Sequence, residues 1–203
     1  VTLIERYGEV EKKIWRGTVA DWDAIPDVPY HLGDMEQYMF NPQYPHTRVS
    51  AFTFSRGCPF QCAYCATGNL NRKWATFQID NAIRRMMHLV NTYNVEIIKF
   101  TDENITTNKK VFTPLAEAID NQFGWMIQSR IDCISRNDLE MLERNGLRLM
   151  SSGLESGSNR ILKLIKKKET IEQYLEGNRL LATTDIRVSY NFMMAFPGET
   201  WED

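Results

Sequence analysis

The chain has 203 residues, 43% of them hydrophobic and 25% charged, with a formal net charge of -2. That size and composition suit a globular domain with a real core, or part of a larger one. They give no electrostatic reason for nucleic-acid or membrane binding; no apolar run is long enough to span a bilayer, and Val1 opens no signal-peptide pattern.

Residues 1–50 are rich in turn formers, with Pro26, Pro29, Pro42 and Pro45 among aromatic and acidic residues. They are expected to form a leader or linker without a regular core, with a short hairpin around Gly8. Residues 51–203 are expected to form one core domain in which strands and helices alternate. AFTFS, 51–55, is an apolar strand that runs straight into a loop containing Cys58, Cys62 and Cys65. Ile79, Ile83, Met86, Val90 and Tyr93 share one face of a helix over 77–93.

VEIIKF, 95–100, has the β-branched character of a buried parallel strand. Asn108 is placed to cap a helix carrying Val111, Leu115, Ala118 and Ile119, and WMIQSR, 125–130, is the third strand. Ser135 and Asp138 form a capping box, as do Thr170 and Gln173, and Asn145-Gly146 stops the first of those two helices. LRLMSSGL, 147–154, is the fourth strand. RVSYNFMMA, 187–195, is the fifth, with Tyr190, Phe192 and Met194 on one face and Ser189, Asn191, Met193 and Ala195 on the other.

Strand followed by helix, about five times over, predicts an α/β fold. Its parallel strands with outer helices form either an open sheet or a partial (β/α) barrel of the TIM type. In such folds ligands collect at the carboxyl ends of the strands. The cysteines, TDEN (101–104), Arg130, LESGS (154–158) and PGET (197–200) all fall on that rim. The chain stops where another helix is expected, so a longer parent protein is expected too.

Three cysteines at C-x3-C-x2-C spacing read as metal chemistry in a reducing, cytoplasmic compartment. Soft thiolates suit iron–sulfur clusters, zinc and copper(I). One loop wraps three corners of a four-iron cluster and leaves one iron open; the alternative is a zinc site completed by His46, His88 or Cys133. Cys133 otherwise reads as a buried free thiol. Lys166, Lys167 and Lys168 read as a solvated helix end, Ser156 and Ser158 as caps, and the nine methionines as packing.

SRGCPFQCAYCATG, 55–68, with Tyr64 before the last cysteine, resembles the cluster loop of the radical SAM superfamily. The resemblance extends over residues 51–203 and implies a [4Fe–4S] cluster on Cys58, Cys62 and Cys65. It implies that the open iron is chelated by S-adenosylmethionine, which an electron from the cluster cleaves to methionine and a 5′-deoxyadenosyl radical. That radical abstracts hydrogen from a substrate. A reducing donor such as flavodoxin or ferredoxin is implied as partner.

By the same resemblance Asp102 or Glu103 receives the amino group of S-adenosylmethionine, with an acidic helix-capping turn as the competing use. Arg130 serves the carboxylate or supports the cluster, or else pairs with Asp132. Glu155 reaches the ribose hydroxyls or the amine, or else serves as an acid at the next helix N-terminus. Ser189, Asn191 and Met193 lie inward, with Met193 against adenine or simply in the core; the family often has glycine where Ala195 stands. The leader GTVADWDAIPDVPYHL, TDEN, GLESGSNRIL and FPGET look most like the cobalamin-associated branch, so methyl transfer with cobalamin held by a domain absent from this chain is implied. A methylthiotransferase-like enzyme and a non-catalytic iron–sulfur electron-transfer module are the alternatives.

Overall fold

In a computed structural model, residues 21–67 and 74–203 are described in full, together with the backbone pairing of two N-terminal strands. Strands β1 (Thr2–Arg6) and β2 (Glu9–Lys13) pair antiparallel, as expected for a hairpin; its turn at Gly8 lies outside the described residues. The main sheet contains β3 (Val49–Phe52), β6 (Ile97–Phe100), β7 (Gly124–Gln128), β8 (Leu147–Glu155) and β9 (Arg187–Phe192). All four pairings are parallel and the strands follow in chain order. The sheet is open, with β3 and β9 at its edges.

The helices are α1 (Ile79–Tyr93), α2 (Lys109–Ile119), α3 (Arg136–Arg144), α4 (Asn159–Leu164) and α5 (Ile171–Leu181). Both capping boxes form, at Ser135/Asp138 and Thr170/Gln173. Asn108 precedes α2, but its side chain makes no cap bond. Gly146 ends the α3 turn at φ +95, where an added Cβ would meet Asn121 Oδ1 at 2.8 Å, so only glycine fits.

The outer face of the sheet buries Phe100, Trp125 and Met150 against Met86, Leu115 and Leu142 of the helices. A smaller inner cluster of Val49, Ile97, Met126 and Leu149 lines the concave side. Burial of this kind, at about 25 cal/mol per Å² of apolar surface, is what holds a marginal α/β unit together.

Two expectations change. AFTFS is not one strand: β3 ends at Phe52, and Ser55–Arg56 (β4) pairs antiparallel with Ala75–Thr76 (β5). The cause is Asp102, which captures the Phe54 and Ser55 N–H groups that a continuing ladder would use. Residues 21–48 also have more structure than a leader without a core. Met39 is buried in the main core, and Trp22, Tyr30 and Met35 pack on it. Asp23 accepts the Gln78 N–H at 3.1 Å and caps α1 from outside, while Asp27 pairs with Arg84 at 2.8 Å. Such caps contribute about 1 kcal/mol.

Candidate functional site

The cysteine loop leaves β4 through Gly57 at φ +108 and folds over the carboxyl rim of the sheet. Cys58, Cys62 and Cys65 are free thiols, partly buried, and line one cavity of about 220 Å³. Across it stand Glu103 after β6, Gln128 of β7, Glu155 of β8, Asn191 of β9, and Lys167. Burial pushes the Cys58 thiol up from its ordinary value, with Cys62 and Cys65 adding to the rise. A soft cation in the cavity would remove that cost by holding the thiolates.

Five attachments hold the loop. Asp102 is buried and its Oδ1 accepts from both Ser55 N–H and Ser55 Oγ–H at 2.5 Å, while Oδ2 accepts the Phe54 N–H at 3.1 Å. Both oxygens are engaged, so Asp102 fastens the base of the loop and does not line the cavity. Glu103 does line it; its Oε2 accepts the Gly57 N–H at 3.1 Å and its Oε1 meets Arg56 at 3.2 Å.

Arg130 is buried and lines the same cavity. It pairs with Asp132 at 2.8 and 3.0 Å, donates to the Lys167 carbonyl at 2.7 Å, and lies 3.9 Å from the centre of the Phe60 ring. Its guanidinium thus braces the loop at Phe60 while standing at the cavity wall. Finally, Ala63 N–H donates to the Ile165 carbonyl at 2.8 Å, and Tyr64 Oη–H to Glu155 Oε1 at 2.9 Å.

Glu155 has φ +70 and sits where the β8–β9 register shifts. A non-glycine residue there costs about 1–2 kcal/mol, which a site tolerates when the side chain is needed in place. Its carboxylate folds back over Gly153, where an added Cβ would lie 2.1 Å from Oε1. The Gly-Leu-Glu sequence therefore has a steric reason.

Lys167 corrects the expected solvated lysine run. Lys166 and Lys168 are exposed, but Lys167 is buried, with its ammonium 3.6 Å from Glu155 Oε1 and 3.3 Å from Glu169 Oε2. Positive φ at Lys166 (55) and Lys168 (59) turns the middle residue inward. Three consecutive lysines carry no local signal of that turn.

On β9, Asn191 lines the cysteine cavity and donates to Ser151 Oγ at 3.1 Å. Ser189 lies on the same inner face but borders a separate cavity of about 250 Å³ deeper in the sheet. Met193 is beyond the strand: its N–H donates to the Glu155 carbonyl at 2.9 Å. Its side chain borders a cavity of about 710 Å³ with Phe192, Met194 and Trp201. Ala195 has φ +66, which is why glycine is favoured there. Cys133 is partly buried and does not line the cavity, its thiol pushed up to about 11 by burial and by Asp132. Among the described residues no three of His, Cys, Asp and Glu converge on a single-ion site, and neither His46 nor His88 lines the cysteine cavity.

Burial pushes the Asp102 carboxyl up to about 6, against the pull of Ser55 and the two N–H donors. Because this lies above the unfolded value of about 3.9, the group favours the fold at low pH, and that contribution is lost as pH rises through about 6. The stability of wild type minus that of Asp102→Asn, from denaturant unfolding of the metal-free chain, should therefore fall by about 2 kcal/mol between pH 4 and 7. Parallel pH profiles would refute this.

A family model described as the radical SAM superfamily matches residues 52–203. The chain belongs to the radical SAM superfamily. Members of this superfamily use a [4Fe–4S] cluster and S-adenosylmethionine, and the parallel sheet with outer helices is that of their TIM-type barrel. An uncharacterized methyltransferase of Pyrococcus horikoshii is 26% identical over 200 residues, covering 97% of this chain and 43% of that protein. The anaerobic magnesium-protoporphyrin IX monomethyl ester cyclase of Cereibacter sphaeroides is 27% identical over 192 residues, covering 91% and 31%. The solved radical SAM enzyme OxsB, with aqua-cobalamin and S-adenosylmethionine bound, superposes with a TM-score of 0.74 at 20% identity, covering 92% of this chain and 28% of that one. The chain thus spans less than half the length of these relatives. No described helix is long and apolar enough to cross a membrane.

Proposed function

We propose that this chain is the catalytic core of a cytoplasmic radical SAM enzyme that transfers a methyl group with the help of cobalamin held elsewhere in the longer protein. One observation carries the catalytic reading: three free thiols and the side chains of Glu103, Glu155 and Asn191 line a single cavity at the sheet's carboxyl rim. The donor set fits a [4Fe–4S] cluster, since soft thiolates favour iron–sulfur chemistry and three of them leave one iron free for a ligand. Cys58, Cys62 and Cys65 would hold it.

When bound, the cluster supplies the electron that cleaves S-adenosylmethionine to methionine and a 5′-deoxyadenosyl radical. The chain's own residues bind and orient. Glu103 offers a carboxylate to the amino group of S-adenosylmethionine in exchange for its exposed partner Arg56, a charge-assisted bond. Glu155 is held between Tyr64 and Lys167, which aims its carboxylate at polar groups of that ligand. Asn191 and Ser189 present polar atoms on the inner face, and Met193 offers an apolar, polarizable surface beyond it.

The methyl-transfer part rests on the names of the relatives and on the cobalamin in OxsB. The experiment is anaerobic loading of the full-length protein with iron and sulfide, reduction, and assay for 5′-deoxyadenosine. Product supports the reading, and a folded, iron-loaded protein that forms none refutes it.

A further inference from the structure

The lysine run that the cavity absorbs only at Lys167 leaves two members outside. Lys166 and Lys168 are exposed, and Lys163 of α4 is exposed beside them. Together with Gln61 and Thr170 they border an open cavity of about 540 Å³ on the outer side of the cysteine loop. Gln61 lies between Cys58 and Cys62, and the Ala63-to-Ile165 hydrogen bond joins the loop's backbone to the lysine segment at 2.8 Å. Among the described residues no carboxylate lies within 4 Å of these three ammonium groups, whereas Lys167 has two. Glu169 at the floor is turned inward to Lys167.

We propose that this lysine surface is the docking site for a small acidic one-electron carrier protein. The inference rests on the radical SAM reading, which requires one electron for each S-adenosylmethionine cleaved. The reduced carrier loses one electron and the iron–sulfur group gains it; no bond or proton moves. The inner face of the loop belongs to the ligand cavity, so a carrier must approach from outside, and this concave basic surface abuts the loop there. Complementary charge raises the rate of such encounters by about ten- to a thousandfold. Nucleic acid is the less suitable polyanion: the cavity wall holds no aromatic or arginine on which a base would stack.

The test uses the full-length protein and a reduced acidic ferredoxin as probe. Stopped-flow absorbance reads cluster reduction by the ferredoxin and, separately, by dithionite, while interferometry reads ferredoxin binding to the metal-free protein. In the triple variant Lys163→Glu, Lys166→Glu, Lys168→Glu, reduction by ferredoxin should slow by about ten- to a hundredfold and lose its salt dependence. Iron content and dithionite reduction should stay unchanged, the corresponding Gln set should fall between, and an Arg set should retain the wild-type rate. Ferredoxin binding and reduction at wild-type rates in the Glu variant would overturn the proposal. If the wild-type protein assembles no cluster, the enzymatic reading fails, and the binding arm on metal-free protein still decides whether this surface docks an acidic carrier.

Discussion

Replacing Cys58, Cys62 or Cys65 singly with serine is expected to lower bound iron from about four per chain to below about one after anaerobic reconstitution. The three thiols line one cavity and come from one loop of eight residues, so no other described side chain stands ready to replace a lost ligand. Serine keeps the volume but offers a hard, weakly acidic oxygen that iron–sulfur clusters bind poorly. Changes outside the ligand set cost metal sites about ten- to a hundredfold, so losing a ligand should reduce S-adenosylmethionine cleavage by more than about a hundredfold. Cys133→Ser is the control: that thiol contacts Asn104 and Asp132 and does not itself line the cavity, and iron content should not change. Iron analysis with visible absorbance reads both. Full iron retention in a Cys62→Ser protein would remove these residues from the ligand set.

The second large effect is on stability. Lys167→Met should destabilise the fold by about 3–5 kcal/mol, because it leaves the buried Glu155 and Glu169 carboxylates without the ammonium that lies 3.6 and 3.3 Å from them. Glu169 would keep only Arg130, at 3.6 Å, and its carboxyl is already pushed up by burial. For a chain of this size that cost corresponds to a fall in Tm of about 6–20 °C. The double variant Lys167→Met, Glu169→Gln should recover much of the loss, since the stranded charge is removed together with its partner. Calorimetry on the four proteins of the cycle measures the coupling directly. If Lys167→Met behaved like the exposed Lys163→Met, within about 0.5 kcal/mol of wild type, the buried ion-pair assignment would be wrong.

The parts of this molecule that were legible in the sequence are those with local causes. Ile97, Ile98 and Phe100 read as a buried strand because burial and β-branching act residue by residue. Both capping boxes form because three residues suffice to make one. The rim order of Cys58 to Asn191 followed from parallel topology alone.

What was not legible depends on partners far along the chain. Asp102 was a ligand candidate by position, yet its oxygens are taken by Ser55 and Phe54, 47 and 48 residues earlier. Arg130 could be placed on the rim by position, but its partners Asp132 and Phe60 could not be read from the sequence. The strand over 187–195 ended early because Met193 bonds to the Glu155 carbonyl and Ala195 turns into the left-handed region, two events that alternation does not encode. Lys167 was hidden for a similar reason: positive φ on both sides sends it inward, and a sequence of identical residues cannot show which one turns. The packed segment 21–48 was read as a linker because its anchors, Asp23 on Gln78 and Asp27 on Arg84, are separated by more than fifty positions.

The measurement that bears most directly on the whole account is product analysis after reduction. Full-length protein, loaded anaerobically with iron and sulfide and then reduced, is incubated with S-adenosylmethionine, and methionine and 5′-deoxyadenosine are quantified together. The two should appear in equal amounts, and both should vanish in the Cys58, Cys62 and Cys65 serine variants. A wild-type protein carrying its full cluster that leaves S-adenosylmethionine intact would contradict it.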